Sequence, residues 1–268
     1  MNDFNAYFSG QRLYGDDFDP DQLAAWYADE KEGYADKGHK DRSQYTYTYH
    51  ALNTMHGFRY ISRPRLEQVL GLGSAYGDEF KPIIDRIGKL VVVDPSDAFE
   101  VTRYESVPVE YVKPRVDGVL PFADDTFDLV TSFGVLHHIA NVSFVLGEIH
   151  RCLAAGGYAL IREPIVSMGD WSKPRHGLTK RERGIPFDLF REMVSRADFE
   201  IVKATPCIFP LTRRILGKVA KAPYNSNLAT RLDTALCSLS SFNRTYHRTR
   251  TLQKIGPTSV FFVLRKPA

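Results

Sequence analysis

The chain has 268 residues, of which 43% are hydrophobic and 25% are charged, and its formal net charge is +3 at pH 7. These values are typical of a globular protein and exclude a disordered or fibrous chain. The near-neutral charge argues against a dedicated non-specific nucleic-acid binder, which needs a strong basic excess. The length suits one large domain, or one domain with an appended lid.

Signals for export, membrane insertion and disulfide formation are all missing from the sequence. No apolar stretch reaches the roughly 18 residues of a transmembrane helix, and the N-terminus lacks the basic and apolar regions of a secretory signal. Cys152, Cys207 and Cys237 are far apart, which excludes a disulfide framework and a Cys-x-x-Cys metal site. We therefore expect a cytoplasmic protein.

Residues 1–60 are predicted to form an N-terminal helical cap. Residues 1–50 hold ten Asp or Glu, five Lys or Arg, and seven of the fourteen tyrosines. A helix is predicted from Asp19, with Gly33 as its stop signal. Tyr45, Tyr47 and Tyr49 alternate with threonines, which indicates a short strand or an ordered segment packed over another element.

From residue 66 onward, short apolar runs alternate with helical patterns, as in a parallel sheet covered by helices on both faces. The predicted strands are Gln68–Leu72, Lys89–Asp94, Phe127–Ser132, Gly157–Glu163, Phe199–Cys207 and Ser259–Lys266. The predicted helices follow Gly77, Asp97, Asn141 and Pro186. We expect an α/β core over residues 61–207 and a final core strand within 258–268.

Residues 208–257 are predicted to be a helical insertion before the last strand. They hold nine Lys or Arg and one Asp, a local balance of +8 that the total charge conceals. Apolar residues recur at helical spacing between Leu211 and Ala220. This basic insertion could contact an anionic membrane, a phosphorylated glycan or lipid, or RNA, and it could equally be a dimer arm or a solvated helix pair over the cleft.

A glycine-containing turn follows the first predicted strand. Gly73-Ser74-Ala75-Tyr76-Gly77 connects that strand to a predicted helix, where glycine lets a ligand approach the backbone and free N–H groups attract an anion. Asp94 closes the second strand seventeen residues after Gly77, where a carboxylate can accept both hydroxyls of a ribose. The alternative for Asp94 is a turn residue before Pro95. A turn of this kind also occurs in dehydrogenases, but the motifs that follow it in this sequence are not those of a dehydrogenase.

Those motifs are Asp117-Gly118, Leu120–Phe122, Asp124–Val130, Val135–His138, Glu148–Gly157 and Arg162–Pro164. With the glycine turn and Asp94, they resemble the class I S-adenosylmethionine-dependent methyltransferases, in particular the type 11 group that includes ubiquinone and menaquinone methyltransferases. The resemblance covers residues 66–164. It implies a Rossmann-like, seven-stranded, mostly parallel sheet with helices on both faces, S-adenosylmethionine as cofactor and S-adenosylhomocysteine as product.

The resemblance also assigns cofactor contacts. The glycine turn would face the methionine part and ribose, Asp94 the ribose hydroxyls, Asp117 the adenine amino group, and Leu120 and Phe122 the adenine ring. The residues assigned to the cofactor are Gly73, Ser74, Ala75, Gly77, Asp94, Pro95, Asp117, Gly118, Ser132, Phe133 and Gly134.

Two positions depart from the family pattern. Gly71 stands where an acidic residue usually contacts the cofactor's ammonium group, and Ala75 replaces the middle glycine. The cap could supply a substitute contact through Tyr49, His50 or Asn53. The alanine is expected to fit if its φ angle is negative.

Transfer to a hydroxyl needs a base, and the candidates are His137, His138, Glu163 and His176. Each also has a structural alternative: the adjacent histidines as scaffold, Glu163 as a turn cap, and His176 as a solvated loop residue. No cluster has the spacing of a metal site, so we expect no metal.

The acceptor is expected to be a hydroxyl on a sugar, glycan or glycolipid precursor. Basic residues and Trp171 follow the fifth strand, where Arg175 could bind an anion and the tryptophan a sugar face. Tyr49 and His50 of the cap complete the predicted substrate contacts. The alternatives are a quinone, polyketide or other lipid methyltransferase, an RNA methyltransferase, and a binding module without catalysis.

Overall fold

A single mixed sheet forms the centre of the computed structural model, which describes residues 4–35, 42–43, 45–216 and 222–268. Its strands are β1 (Leu66–Leu72), β2 (Ile87–Val93), β3 (Arg103–Tyr104), β4 (Val107–Val112), β5 (Phe127–Phe133), β6 (Leu153–Pro164), β7 (Glu200–Cys207) and β8 (Ser259–Arg265). Their order across the sheet is β3-β4-β2-β1-β5-β6-β8-β7.

Five neighbouring strands of the sheet run parallel to one another: β4, β2, β1, β5 and β6. Their carboxyl ends therefore lie along one edge, which is where open α/β sheets bind ligands. β8 runs antiparallel between β6 and β7. The Rossmann-like, mostly parallel sheet expected from the sequence is confirmed.

The sheet has eight strands and not seven, because the two-residue β3 pairs with the edge of β4. β4 itself has no counterpart among the strands predicted from apolar runs. Its sequence Val107–Val112 contains Pro108 and Glu110, and it is only partly buried near the sheet edge. A proline within a run and a mixed face are signals that weaken a strand prediction.

Helices cover both faces of the sheet. They are α1 (Asn5–Phe8), α2 (Pro20–Ala35), α3 (His50–His56), α4 (Val142–Cys152), α5 (Phe187–Arg196), α6 (Pro210–Leu216) and α7 (Asn227–Leu239). α4 and α5 bury Ile149 and Phe190 in the core on one face. On the other face, α3 buries Leu52 with Phe58 and Tyr224, and α7 contacts β7. The helices predicted after Asn141 and Pro186 are thus present.

Three other local predictions differ from the structure. The segments after Gly77 and at Asp97 are 3₁₀ turns, Asp78–Arg86 and Asp97–Phe99. In the first, Pro82 has no N–H to donate to an α-helical ladder. α2 continues past Gly33 to Ala35. For the tyrosine segment before α3, the structure shows the second of the two alternatives: it is not a strand, and Tyr45 packs against Tyr76 and Phe99.

The N-terminal segment lies over the carboxyl edge of the sheet. Trp26 of α2 is buried, and its Nε1 donates a hydrogen bond to the His138 carbonyl at 2.7 Å. The Asp16 carboxylate accepts hydrogen bonds from the backbone N–H and hydroxyl of Ser143, at the start of α4. These contacts place α2 over the loops that follow β1, β2 and β5.

The basic insertion contributes α6 and α7 between β7 and β8. The helical spacing predicted there continues into residues 217–221, which lie outside the described residues. In the described part of the chain, no helix has the length and hydropathy needed to cross a bilayer.

Candidate functional site

A largely apolar cavity lies at the carboxyl edge of the sheet, beneath α2. It is formed by the ends of β1, β2 and β5, the loop after β4 and the inner face of α2. Its lining includes Leu23, Trp26, Tyr27, Glu30, Gly73, Val93, Asp94, Pro95, Val116, Gly118, Leu120, Gly134, His138, Ile139 and Asn141. Five predicted cofactor residues, Gly73, Asp94, Pro95, Gly118 and Gly134, therefore meet at one cavity.

Asp94 is one of two buried carboxylates that line this cavity, the other being Glu30. The two oxygens of Asp94 accept hydrogen bonds from the backbone N–H groups of Ser96, at 2.9 Å, and Ala75, at 3.3 Å. Burial raises its pKa, and these two hydrogen bonds oppose the rise. Because each carboxylate oxygen has a second lone pair, Asp94 retains acceptor capacity toward a ligand.

The condition set for Ala75 is not met, because its φ angle is +48°. This left-handed conformation costs a non-glycine residue about 1 kcal/mol or more. It is held by the Ala75 N–H bond to Asp94 and by the Tyr111 hydroxyl, which donates to the Ala75 carbonyl at 2.5 Å. The turn thus keeps its shape without the middle glycine.

Glycine is required at two cavity positions. Gly73 has a φ of +60°, and a Cβ there would lie 2.5 Å from a Val135 methyl group. Gly118 has a φ of +82°, and a Cβ would lie 2.9 Å from Val145. Side chains at these positions would be strained and would fill the cavity wall.

The remaining predicted cofactor residues do not line the cavity. Asp117 is exposed and ion-paired with Arg115, whose hydrogen bonds hold the Asp117 pKa at about 2. The side chain of Ser132 lies within β5, and Phe133 packs against Phe58 and Phe261. Ser74 and Gly77 shape the turn: Ser74 binds Glu79, and Gly77 donates to the Ser74 carbonyl. Leu120 lines the cavity, whereas Phe122 packs on Phe127.

Gly71 lacks the acidic side chain of the family pattern, but a second acidic residue, Glu79, lies nearby and was not identified from the motifs. A Cβ at Gly71 would lie 2.2 Å from Ser74 Oγ, so a side chain there would require Ser74 to move. The buried Glu79 carboxylate instead accepts hydrogen bonds from Ser74 Oγ, at 3.0 Å, and Thr131 Oγ1, at 2.5 Å. Burial raises the Glu79 pKa to about 7. A carboxyl group is thus present beside the turn, on the 3₁₀ segment.

His137 is buried between two carboxylates. Its Nδ1 lies 2.7 Å from Glu163 Oε2, and its Nε2 lies 3.4 Å from Glu182 Oε1. Burial lowers the His137 pKa, but the hydrogen bonds with Glu163 and Glu182 outweigh it and raise the pKa to about 9. His137 is therefore protonated at neutral pH and poorly suited to accept a proton.

This arrangement predicts a pH-dependent stability. The raised pKa of His137 contributes stability that is complete below the unfolded value of 6.5 and is lost as the pH rises through about 9. We expect the free energy of unfolding from urea titrations to fall by about 3 kcal/mol at most across that window. The variant His137→Gln should flatten the slope, and a variant with the wild-type slope would contradict the assignment.

His138 differs from its neighbour because it lines the cavity. Its Nδ1 lies 2.7 Å from Glu30 Oε2 of α2, and Glu30 also accepts from Thr179 Oγ1 and the Arg181 N–H. Burial, followed by the positive charge of His137, lowers the His138 pKa. His138 is therefore neutral at neutral pH and oriented by a carboxylate.

The two histidines and Glu182 also place ligand atoms within 4.8 Å of one another. The sequence spacing gave no sign of this third partner. Within this group, His137 Nε2 and Glu182 Oε1 are joined by the 3.4 Å contact, which is an ion pair when the imidazole is protonated.

Glu163 and His176, the other predicted bases, have different places. Glu163 is fully buried and accepts hydrogen bonds from the N–H groups of Val135, at 2.8 Å, and Leu136, at 2.9 Å. It holds the loop after β5. His176 lies exposed in the loop between β6 and α5.

The predicted substrate contacts of the cap are not at the cavity. Tyr49 stacks on Tyr224, and the Arg162 guanidinium lies 3.9 Å from the centre of its ring. The backbone N–H of His50 donates to Asn225. These residues join α3 to the basic insertion.

The loop expected to bind a sugar or phosphate is occupied by internal contacts. Trp171 is buried, stacked on Phe8 with ring centres 3.9 Å apart, so its face is covered. Arg175 donates to the carbonyls of Met168 and Thr179. The other loop cations are also engaged: Lys173 with Asp170, Lys180 and Arg181 with Asp29, and Arg183 with five backbone carbonyls.

Comparisons with known proteins bear on the central part of the chain. Residues 70–161 match the family model described as a methyltransferase domain. The ubiquinone/menaquinone biosynthesis C-methyltransferase UbiE of Klebsiella pneumoniae is 32% identical over 110 residues, which cover 37% of this chain and 43% of that protein. The chain thus spans less than half the length of this relative.

Solved structures share the fold at low identity. Phosphoethanolamine N-methyltransferase 2 of Haemonchus contortus, in complex with S-adenosyl-L-methionine, has a TM-score of 0.57 and 16% identity, covering 100% of this chain and 61% of that chain. The [4+2]-cyclase SpnF has a TM-score of 0.53 and 15% identity, covering 81% and 80%. Because a cyclase is among them, the shared fold does not define the reaction. For residues 70–161, the match to the methyltransferase family model confirms the methyltransferase class that the sequence motifs predict.

Proposed function

We propose that this protein, whose residues 70–161 form a class I S-adenosylmethionine-dependent methyltransferase domain, methylates an apolar aromatic acceptor of the quinol type. The observation that carries the proposal is the apolar cavity at the carboxyl edge, with Asp94 in its wall and His138 beneath α2. An aromatic ring carrying hydroxyl groups would match such a lining with few polar contacts.

The residues present fit the cofactor. Gly73 and Gly118 leave space at the cavity wall that a side chain would fill, and Asp94 offers acceptors for two ribose hydroxyls. Leu120 and Val116 would contact the adenine. When bound, S-adenosylmethionine supplies an electrophilic methyl group on its sulfonium.

A quinol-type acceptor has better support than the sugar hydroxyl expected from the sequence. The tryptophan and the loop cations that motivated a sugar are engaged in internal contacts. The part of the cavity lining that is not assigned to the cofactor, Leu23, Trp26, Tyr27 and Ile139, is also mainly apolar. The UbiE relatives are named as C-methyltransferases of ubiquinone and menaquinone biosynthesis. These observations together favour the lipid alternative.

In-line transfer requires alignment, exclusion of water and removal of one proton from the acceptor. Trp26 and Tyr27 of α2 would close the cavity against water. His138 would accept the proton of the acceptor hydroxyl, because it is neutral at pH 7 and lines the cavity. Glu30 would stabilise the resulting imidazolium through Nδ1.

Replacement of Asp94 with asparagine tests the cofactor site. We expect the affinity for S-adenosylhomocysteine to fall about tenfold to a hundredfold, because a charged acceptor of two hydroxyls becomes a neutral one. Isothermal titration calorimetry measures this change. The control Asp97→Asn removes the same charge from an exposed position nearby. Equal affinities for both variants would contradict the placement of the ribose.

The acceptor is tested with the wild-type protein and S-adenosylmethionine. Release of S-adenosylhomocysteine is measured with demethylated hydroquinones, with sugar nucleotides and with RNA. We expect turnover with a hydroquinone alone. Turnover confined to sugars or RNA would overturn the acceptor class, and absence of S-adenosylmethionine binding would favour a binding module without catalysis.

A further inference from the structure

α7 has two opposite faces of different character. Thr230, Asp233 and Cys237 are buried, three and four residues apart, against the sheet side. Leu228, Leu232 and Leu239 lie four and seven residues apart on the opposite face of the helix, and all three are exposed. A helix that packs on a core normally exposes polar side chains on this face.

Three further large apolar side chains are exposed in the residues that follow α7. Asn243 Nδ2 donates to the carbonyls of Leu252, at 2.9 Å, and Ile255, at 2.6 Å, which holds that turn beside the end of the helix. The apolar ridge is defined as the six side chains that are 48–86% exposed here: Leu228, Leu232, Leu239, Phe242, Leu252 and Ile255. A grouping of this kind marks an interaction surface.

The segment that carries the ridge is strongly basic. Residues 208–257 hold nine Lys or Arg and one acid, Asp233. Asp233 is buried and accepts hydrogen bonds from the Ile208 and Phe209 N–H groups and the Tyr224 hydroxyl. No acid of this segment therefore faces solvent to balance its charge. Exposed cations of the segment are Arg214, Arg231, Arg244, Arg250 and Lys254.

We propose that the apolar ridge docks on the surface of an anionic lipid bilayer. Insertion of leucine and phenylalanine side chains, together with cations near lipid headgroups, is the arrangement that stabilises interfacial helices. A second copy of the chain would bring one +8 segment against another, which is repulsive. RNA would match the cations but would leave the six apolar side chains without a favourable environment.

The basic insertion begins at the sheet edge that holds the cavity. α6 begins three residues after the carboxyl end of β7, and this end lies at the same sheet edge as the cavity. The proposal that the apolar ridge docks on a membrane does not depend on methyl transfer. Only its role in delivering a lipid-soluble acceptor rests on the proposed function.

The proposal is tested by flotation of the full chain with vesicles. We compare phosphatidylcholine alone with equal parts of phosphatidylcholine and phosphatidylglycerol. Wild-type protein is expected to bind the anionic vesicles, with binding that weakens as salt rises. The double variant Leu228→Ser, Leu239→Ser should reduce partitioning about tenfold or more. Phe144→Ser, at a half-exposed phenylalanine on α4, is the matched control and should bind as the wild type does.

Four results would overturn the proposal: absence of binding to the anionic vesicles, equal loss in the double variant and the control, a dimer by light scattering that the double variant abolishes, or tight RNA binding without vesicle binding. Calorimetry with S-adenosylhomocysteine on the same samples keeps the two proposals apart. A chain that binds vesicles but not this ligand fails the proposed function alone. A chain that binds the ligand but no vesicles fails the docking proposal alone.

Discussion

Replacement of Glu163 with alanine is expected to lower the free energy of unfolding by about 3–5 kcal/mol. The fully buried carboxylate accepts hydrogen bonds from the Val135 and Leu136 N–H groups and lies 2.7 Å from His137 Nδ1. Its removal leaves two buried donors and a charged imidazole without their acceptor. Denaturant titration followed by circular dichroism measures the change.

Glu163→Gln separates charge from shape in this experiment. The amide oxygen can still accept from Val135 and Leu136, so this variant should lie between the wild type and alanine in stability. It should also lose the pH dependence that His137 confers, since the anion is gone. The control Glu192→Ala removes an exposed carboxylate that pairs with Arg196 on α5 and should cost less than about 1 kcal/mol. Equal stability of the two alanine variants would show that Glu163 is not the support of this loop.

The cofactor half of the site could be predicted from the sequence because its chemistry lies in short segments. Gly73 is required by a positive φ angle, and Asp94 follows directly after a buried strand. Both features leave local traces in the residue pattern. Asp117 shows the limit of this approach, because its motif position is matched while its side chain pairs with Arg115, two residues away.

The other half of the site depends on contacts between distant segments. Glu30 and His138 are 108 residues apart, and Glu182 reaches His137 from a loop without regular structure. Neither acid belongs to a motif or a periodic pattern. The covering of Trp171 is not evident from the sequence for the same reason, since the rings that cover it come from the N-terminal segment. Burial by remote residues leaves no signal in one sequence.

The pairing of His138 with Glu30 leads to the largest expected effect on catalysis. We expect His138→Ala to lower kcat by about 10²-fold to 10³-fold with the hydroquinone that supports turnover, because the acceptor proton loses its base. The affinity for S-adenosylhomocysteine should change little. His176→Ala removes a histidine from the exposed loop and is the matched control, with kcat as in the wild type.

Glu30 is a positioning residue, and its test uses the pH profile of kcat. The hydrogen bond from His138 Nδ1 to Glu30 raises the His138 pKa against the lowering by burial and by His137. Glu30→Gln should therefore move the acidic limb of the profile to lower pH and reduce kcat about tenfold. A loss of kcat with an unmoved acidic limb would mean that Glu30 only holds α2 in place over the cavity. Full activity of His138→Ala would mean that the proton leaves by another route.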